Sequence, residues 1–172
     1  MNRLVTVLIL LTLFGTALAQ QSLKPTTEFV VTGRMKNPEL VIKNQQLAPY
    51  TSYEITNLTI TNHLGEKRST IKTARGVRIK DVLEKVQPDA GNPKEYSEYY
   101  FVFTANDNYK VVFSWNELFN SPLGDQAYFI VEKDGKPVTQ LDEGISILVP
   151  ADVRTGRRYL KNLARVYVGR AE

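Results

Sequence analysis

The 172-residue chain has no cysteine, a single histidine and a single tryptophan. Without cysteine there is no disulfide framework, zinc ribbon, iron–sulfur cluster, c-type haem attachment or thiol nucleophile. The lone His63 excludes a multi-histidine metal site within the chain and leaves one imidazole for any histidine relay. No two glycines are separated by one residue, so the glycine loop of dinucleotide-binding folds is missing. The one Gly-Lys pair, Gly135-Lys136, is followed by Pro137 rather than Ser or Thr and is no P-loop. A nucleophile elbow is also missing. Ser69-Thr70-Ile71-Lys72 has Ser-x-x-Lys spacing, but it lies in a stretch that reads as a strand and lacks the companion motifs. Asp107, Asp125, Glu132, Asp134, Asp142 and Glu143 are scattered and do not alternate about a glycine as a calcium loop requires. Paired carboxylates for glycoside chemistry would be partners in space, and the sequence singles out no pair.

What is present is an ordinary globular composition, 42% hydrophobic and 23% charged, with apolar residues enough for a core. The net charge of +4 is too modest to point to nucleic acid. The chain opens with basic Met1-Asn2-Arg3, an apolar run from Leu4 to Phe14, and small residues at Ala17 and Ala19. That is the pattern of an export signal, residues 1–19, cleaved before Gln20. The run is shorter than the roughly 18 apolar residues of a bilayer span, and no second such run follows. The expectation is an exported periplasmic or secreted protein, not membrane-spanning, with one domain over residues 20–172 and no nucleic-acid partner.

Hydrophobic periodicity predicts an α+β chain, rich in strands, with two or three short helices. Phe29–Gly33 reads as a strand, and 53–73 as a hairpin whose apolar alternation slips phase near Asn57. Ile79, Val82, Leu83 and Val86 fall on one helical face. Tyr99–Ala105 is apolar on both faces and so reads as a central strand, with Tyr109–Phe113 pairing back. Ser114-x-x-Glu117 has capping-box spacing, and strands are expected at 127–132, 145–149 and 166–168. The aromatics between Tyr96 and Phe119 read as core, and His63 as a surface turn residue. The informative asymmetry is C-terminal: Arg154, Arg157, Arg158, Lys161 and Arg165 follow one another with no acidic residue between Asp152 and Glu172. Gly156 precedes the densest part, where a loop turning into a helix would offer backbone N–H groups and cations to an anion. The other reading of these cations is a solvated face.

Four stretches carry a resemblance to a known family. They are Val31-Thr32-Gly33 with Asn37-Pro38; Gly76-Val77-Arg78-Ile79-Lys80-Asp81-Val82-Leu83; Asp107-Asn108-Tyr109; and Val149-Pro150 followed by Gly156-Arg157-Arg158-Tyr159-Leu160-Lys161-Asn162-Leu163. In their order the chain resembles the oxidoreductase molybdopterin-binding domain, the sulfite-oxidase-like fold, in a short exported bacterial version. The resemblance implies a mixed sheet with a few short helices and a molybdopterin or related pterin as cofactor. It gives Gly156, Arg158 and Lys161 the role of holding that pterin and its phosphate. The chain departs from the family at the metal, because catalytic members ligate molybdenum through a cysteine thiolate and none is available here. Three readings follow: an exported pterin-binding domain of redox type; a non-catalytic binding or interaction module that keeps the fold and has lost the metal centre; or a redox-independent enzyme working through carboxylates the sequence does not single out. The first implies an anionic pterin or other phosphate-bearing ligand as partner; the second, the same anion groove or a protein partner on the sheet.

Overall fold

A computed structural model describes residues 24–172, so the expected export signal and its cleavage point lie outside the described residues. Strand β1, Glu28–Gly33, alternates as its sequence demands, with Phe29 and Val31 fully buried and Val30 and Thr32 on the opposite face. It stops at Gly33, whose φ is +117° and where a Cβ would fall 2.2 Å from the Val168 carbonyl oxygen, so only glycine fits. Strand β2, Leu40–Lys43, pairs antiparallel with β1 in a segment, 39–50, whose sequence pattern is ambiguous.

The expected hairpin is β3, Ser52–Thr61, and β4, Lys67–Arg78. The phase slip lies at Asn57, which takes φ +50° and lets Ile55 and Ile60 both reach the core within one continuous strand. The turn is closed by the Asn62 side-chain oxygen, which accepts from the Leu64 and Glu66 N–H groups. His63 is exposed in this turn. Strand β4 outruns its expected end at Thr73 because Ala74–Arg78 pairs with β7, a partnership no local pattern encodes.

Helix α1 is short, Ile79–Leu83, yet all four residues of the apolar stripe are buried, Val86 through a following turn. Strands β5, Tyr99–Ala105, and β6, Lys110–Ser114, form the second hairpin. Helix α2, Trp115–Phe119, opens with the expected capping box, Ser114 accepting from the Glu117 N–H and Glu117 accepting from the Ser114 N–H. Strands β7, Tyr128–Lys133, β8, Lys136–Pro137, β9, Ser146–Leu148, and β10, Leu163–Arg170, complete the chain.

The strands form two sheets. The first has the order β2-β1-β10-β5-β6 and is mixed, because β1 runs parallel to β10 while the other pairs are antiparallel. The second runs β3-β4-β7-β8, with β9 also on β7. The main core lies between them, where Phe29 of the first sheet stacks on Phe129 of the second at 5.2 Å, with Phe103, Ile79, Leu83 and Leu118 around them. Each such side chain stabilises the fold by ~1.5–3 kcal/mol relative to exposure. A smaller cluster, including Ile55, Ile71, Ile130 and Leu148, covers another part of the second sheet and receives Tyr159.

Two expectations are corrected. Strand β5 is an interior strand beside the edge strand β6, the central position being held by β10, and its outward residues Tyr100 and Val102 are only half-buried, since an apolar strand need be neither central nor covered on both faces. Residues 154–161 hold no extended helix: Thr155–Arg158 is a single 3-10 turn, and Leu160 then bridges Ile147 in extended conformation. The hydrogen bonds between Leu160 and Ile147 pull the chain straight before a helix can propagate.

Candidate functional site

The residues expected to hold an anion sit on the connection from β9 to β10. Thr155 anchors it: its hydroxyl accepts from the Thr61 N–H at 3.0 Å and donates to the Thr59 carbonyl at 2.7 Å, fixing the 3-10 turn on the end of edge strand β3. Gly156 follows with its Cα against the same strand, so that a Cβ would lie 2.1 Å from the Thr61 carbonyl oxygen. Its smallness thus serves backbone packing rather than the approach of a ligand. The Tyr109 hydroxyl, from the hairpin between β5 and β6, donates to the Arg157 carbonyl at 2.5 Å and holds the other side of the turn.

Arg158 points into the protein, with a side chain only 19% exposed. Its Nε donates to Asp152 Oδ2 at 2.8 Å, its Nη2 to Asp152 Oδ1, and its Nη1 to Glu117 Oε1 at 3.1 Å. The guanidinium also lies over the Phe113 ring, 4.7 Å from its centre. The Asp152 hydrogen bonds and charge, helped by Glu117, raise its proton affinity still further against the cost of burial. The second oxygen of Glu117 closes the α2 capping box, so one carboxylate joins the helix start to the arginine.

Lys161 enters a different network. Its Nζ lies 2.9 Å from Glu143 Oε2, while Lys133 Nζ and the Tyr159 hydroxyl reach Glu143 Oε1 at 2.6 and 2.5 Å. Lys133 also donates to the Tyr159 oxygen at 2.8 Å. Burial pushes the Glu143 carboxyl up, but the hydrogen bonds from Lys133, Tyr159 and Lys161 outweigh it and hold the pKa below the ordinary glutamate value. Burial, reinforced by the Glu143 charge, pushes the Tyr159 phenol well above its ordinary value, so it stays a donor. Beside this cluster opens a cleft of about 460 Å³ lined by Lys133, Lys136, Asp142, Glu143 and Lys161.

Two of the five C-terminal cations, Arg158 and Lys161, therefore find acidic partners in space, and they turn to separate carboxylates instead of converging. Sequence reading missed Asp152, Glu117 and Glu143 as their partners. The capping-box spacing placed Glu117 at a helix start, but nothing local shows where its second oxygen goes. Among the described residues no group of three His, Cys, Asp or Glu is placed to hold a metal ion.

A pterin bearing a phosphate does not fit the residues that the family motif assigns to it. Arg158 already engages Asp152 and Glu117, so an incoming phosphate would meet two carboxylates at the cation meant to bind it. Gly156 is closed against Thr61, and no thiolate is available for molybdenum.

No family model matches this chain, and no curated protein matches it. Among solved structures it is similar to the sulfane dehydrogenase SoxCD from Paracoccus pantotrophus, with a TM-score of 0.60 and 11% sequence identity. The match covers 86% of this chain and 40% of that one, so this chain spans well under half the length of its neighbour. At such identity the likeness carries the fold and no chemistry. The chain adopts the α+β, sulfite-oxidase-like architecture expected from its sequence, with mixed pairing and a few short helices, and shares it with part of an oxidoreductase.

Proposed function

We propose that the chain is an exported, non-catalytic recognition module that keeps the fold of a molybdopterin oxidoreductase without its pterin clamp. The observation that carries this reading is the pairing of Arg158 with both Asp152 and Glu117, which balances the cation from within the protein. The lack of cysteine supports it, because the thiolate that sets the metal's electronics in catalytic members has no substitute here. Export rests on the Met1–Ala19 signature.

The pterin-binding reading has one observation in its favour. Lys161 is 51% exposed at the rim of the 460 Å³ cleft, beside Lys133 and Lys136, where an anionic ligand would meet three ammonium groups along with the carboxylates of Asp134, Asp142 and Glu143. One measurement separates the two. The protein is produced with its own leader in a host that makes the molybdenum cofactor, and molybdenum, tungsten and oxidised-pterin fluorescence are quantified in the purified product. Folded protein free of metal and pterin is the expected result. Near-stoichiometric pterin, with or without metal, would overturn the recognition-module reading.

A further inference from the structure

We propose that the outer face of the first sheet docks a partner protein whose contact surface is apolar and carries carboxylates; this rests on reading the chain as a recognition module. Strand register places two rows of side chains across that face. Thr32, Tyr167, Val102 and Val112 are successive partners on β1, β10, β5 and β6, and Val41, Val30, Arg165, Thr104 and Lys110 are successive partners from β2 to β6. Val112 is 53% exposed, Val41 44% and Tyr167 42%. Beside them the Tyr100 ring lies against Gly169, where a Cβ would fall 2.2 Å from the ring, so the aromatic extends the face instead of standing off it. Five strands at ~4.8 Å spacing give a platform ~19 Å wide.

Exposed apolar side chains are common singly, but a contiguous set on one sheet face is the mark of an interface. The contrast lies within the same molecule. The water-facing positions of β4 are Lys67, Arg68, Ser69, Thr70, Lys72, Thr73 and Arg75, the ordinary polar side of a solvated strand.

Charge selects the occupant. Lys110 and Arg165 rise from this face without a carboxylate within ion-pair distance among the described residues. The β4 cations Lys67, Arg68 and Lys72 also lack one, but Lys110 and Arg165 stand beside exposed apolar side chains rather than among polar ones. Arg165 stands in the middle of the sheet, between Val30 and Thr104, at a groove of about 340 Å³ that also includes Asn106. A second copy would set Arg165 and Lys110 against their own kind, which disfavours a face-to-face dimer. A lipid surface would bury the central Arg165 in the apolar layer, where a partner's carboxylate would match it in place.

The test uses a photo-crosslinking amino acid at position 112 or 167, with position 70 on β4 as control, in cells of the native source. The crosslinked peptide is identified by mass spectrometry. The expected result is one protein adduct from 112 and 167 but not from 70, joined through a segment containing apolar residues and Asp or Glu. Arg165→Glu, and independently Lys110→Glu, should lower its yield on the order of tenfold or more with the melting temperature nearly unchanged. An adduct of the chain with itself, lipid adducts alone, an adduct indifferent to both charge reversals, or no adduct from folded protein would each overturn the proposal. Pterin content of the same preparation is read separately. Pterin-free protein without an adduct removes this surface alone, and pterin-loaded protein that still gives the adduct removes the recognition-module reading and leaves the surface.

Discussion

Arg158 and Gly156, expected from the family resemblance to hold a ligand, are both taken up by contacts within the protein. Arg158 is mostly buried, so removing it strands Asp152 beside an apolar ring and frees one oxygen of Glu117. Arg158→Ala is expected to cost about 2–3 kcal/mol, the scale for a hydrogen-bonded charge inside a protein, or roughly 5–10 °C in melting temperature. An unchanged melt would mean that the carboxylates do not hold the guanidinium and that it is free for an anion. Gly156 has an ordinary negative φ, so its replacement acts through sterics alone. Gly156→Ala is expected to lose about 1–3 kcal/mol in urea unfolding, because the clashing atom is a backbone carbonyl that cannot swing aside. Arg157→Ala, next door but exposed, is the control and should stay within about 0.5 kcal/mol.

At the scale of elements, the connection from β9 to β10 is a clasp. It binds the end of β3 through Thr155, the β5–β6 turn through Tyr109, α2 through Arg158 and β7 through the Glu143 cluster. That cluster gives the clasp a pH dependence. The folded-state pKa of Glu143 lies below its ordinary value, so the stability it contributes is complete above the unfolded value of about pH 4.3 and is lost as pH falls through the folded one. Unfolding followed from neutral to acid pH should therefore show a stability loss below about pH 4.5 that Glu143→Gln reduces, while the variant is weaker at pH 7 because Lys133 loses its anionic partner. Identical acid limbs in the two proteins would exclude Glu143 as a source of the effect. The elements themselves were largely legible. The α1 stripe and the α2 capping box depend on spacings within one turn, and both formed as read. The clasp was not legible, since the pull of Ile147 on Leu160 acts between residues thirteen positions apart and overrides a local reading of Gly156-Arg157-Arg158.

For the whole molecule, the two sheets and the core between them account for the likeness to an oxidoreductase, and the cofactor measurement asks whether more than the fold is shared. The crosslinking experiment belongs to this scale too, because the proposed docking face exists only once five strands lie side by side. Sequence alone determined most of the strands and both short α-helices, since their apolar periods of two and 3.6 are set by backbone geometry, whereas β2, the end of β4 and the extended path through Leu160 depended on pairing partners. It also determined the missing thiolate, which is a matter of composition. Only the tertiary structure decided what the C-terminal cations do. Asp152, Glu117 and Glu143 come from three separate parts of the chain, and an ion pair depends on distance in space, to which the order of residues is blind. It alone decided, too, that Tyr100, Val102, Val112 and Tyr167 share one face that the described residues leave uncovered, because a strand such as β5 is apolar on both sides on paper and packing chooses which of them meets water.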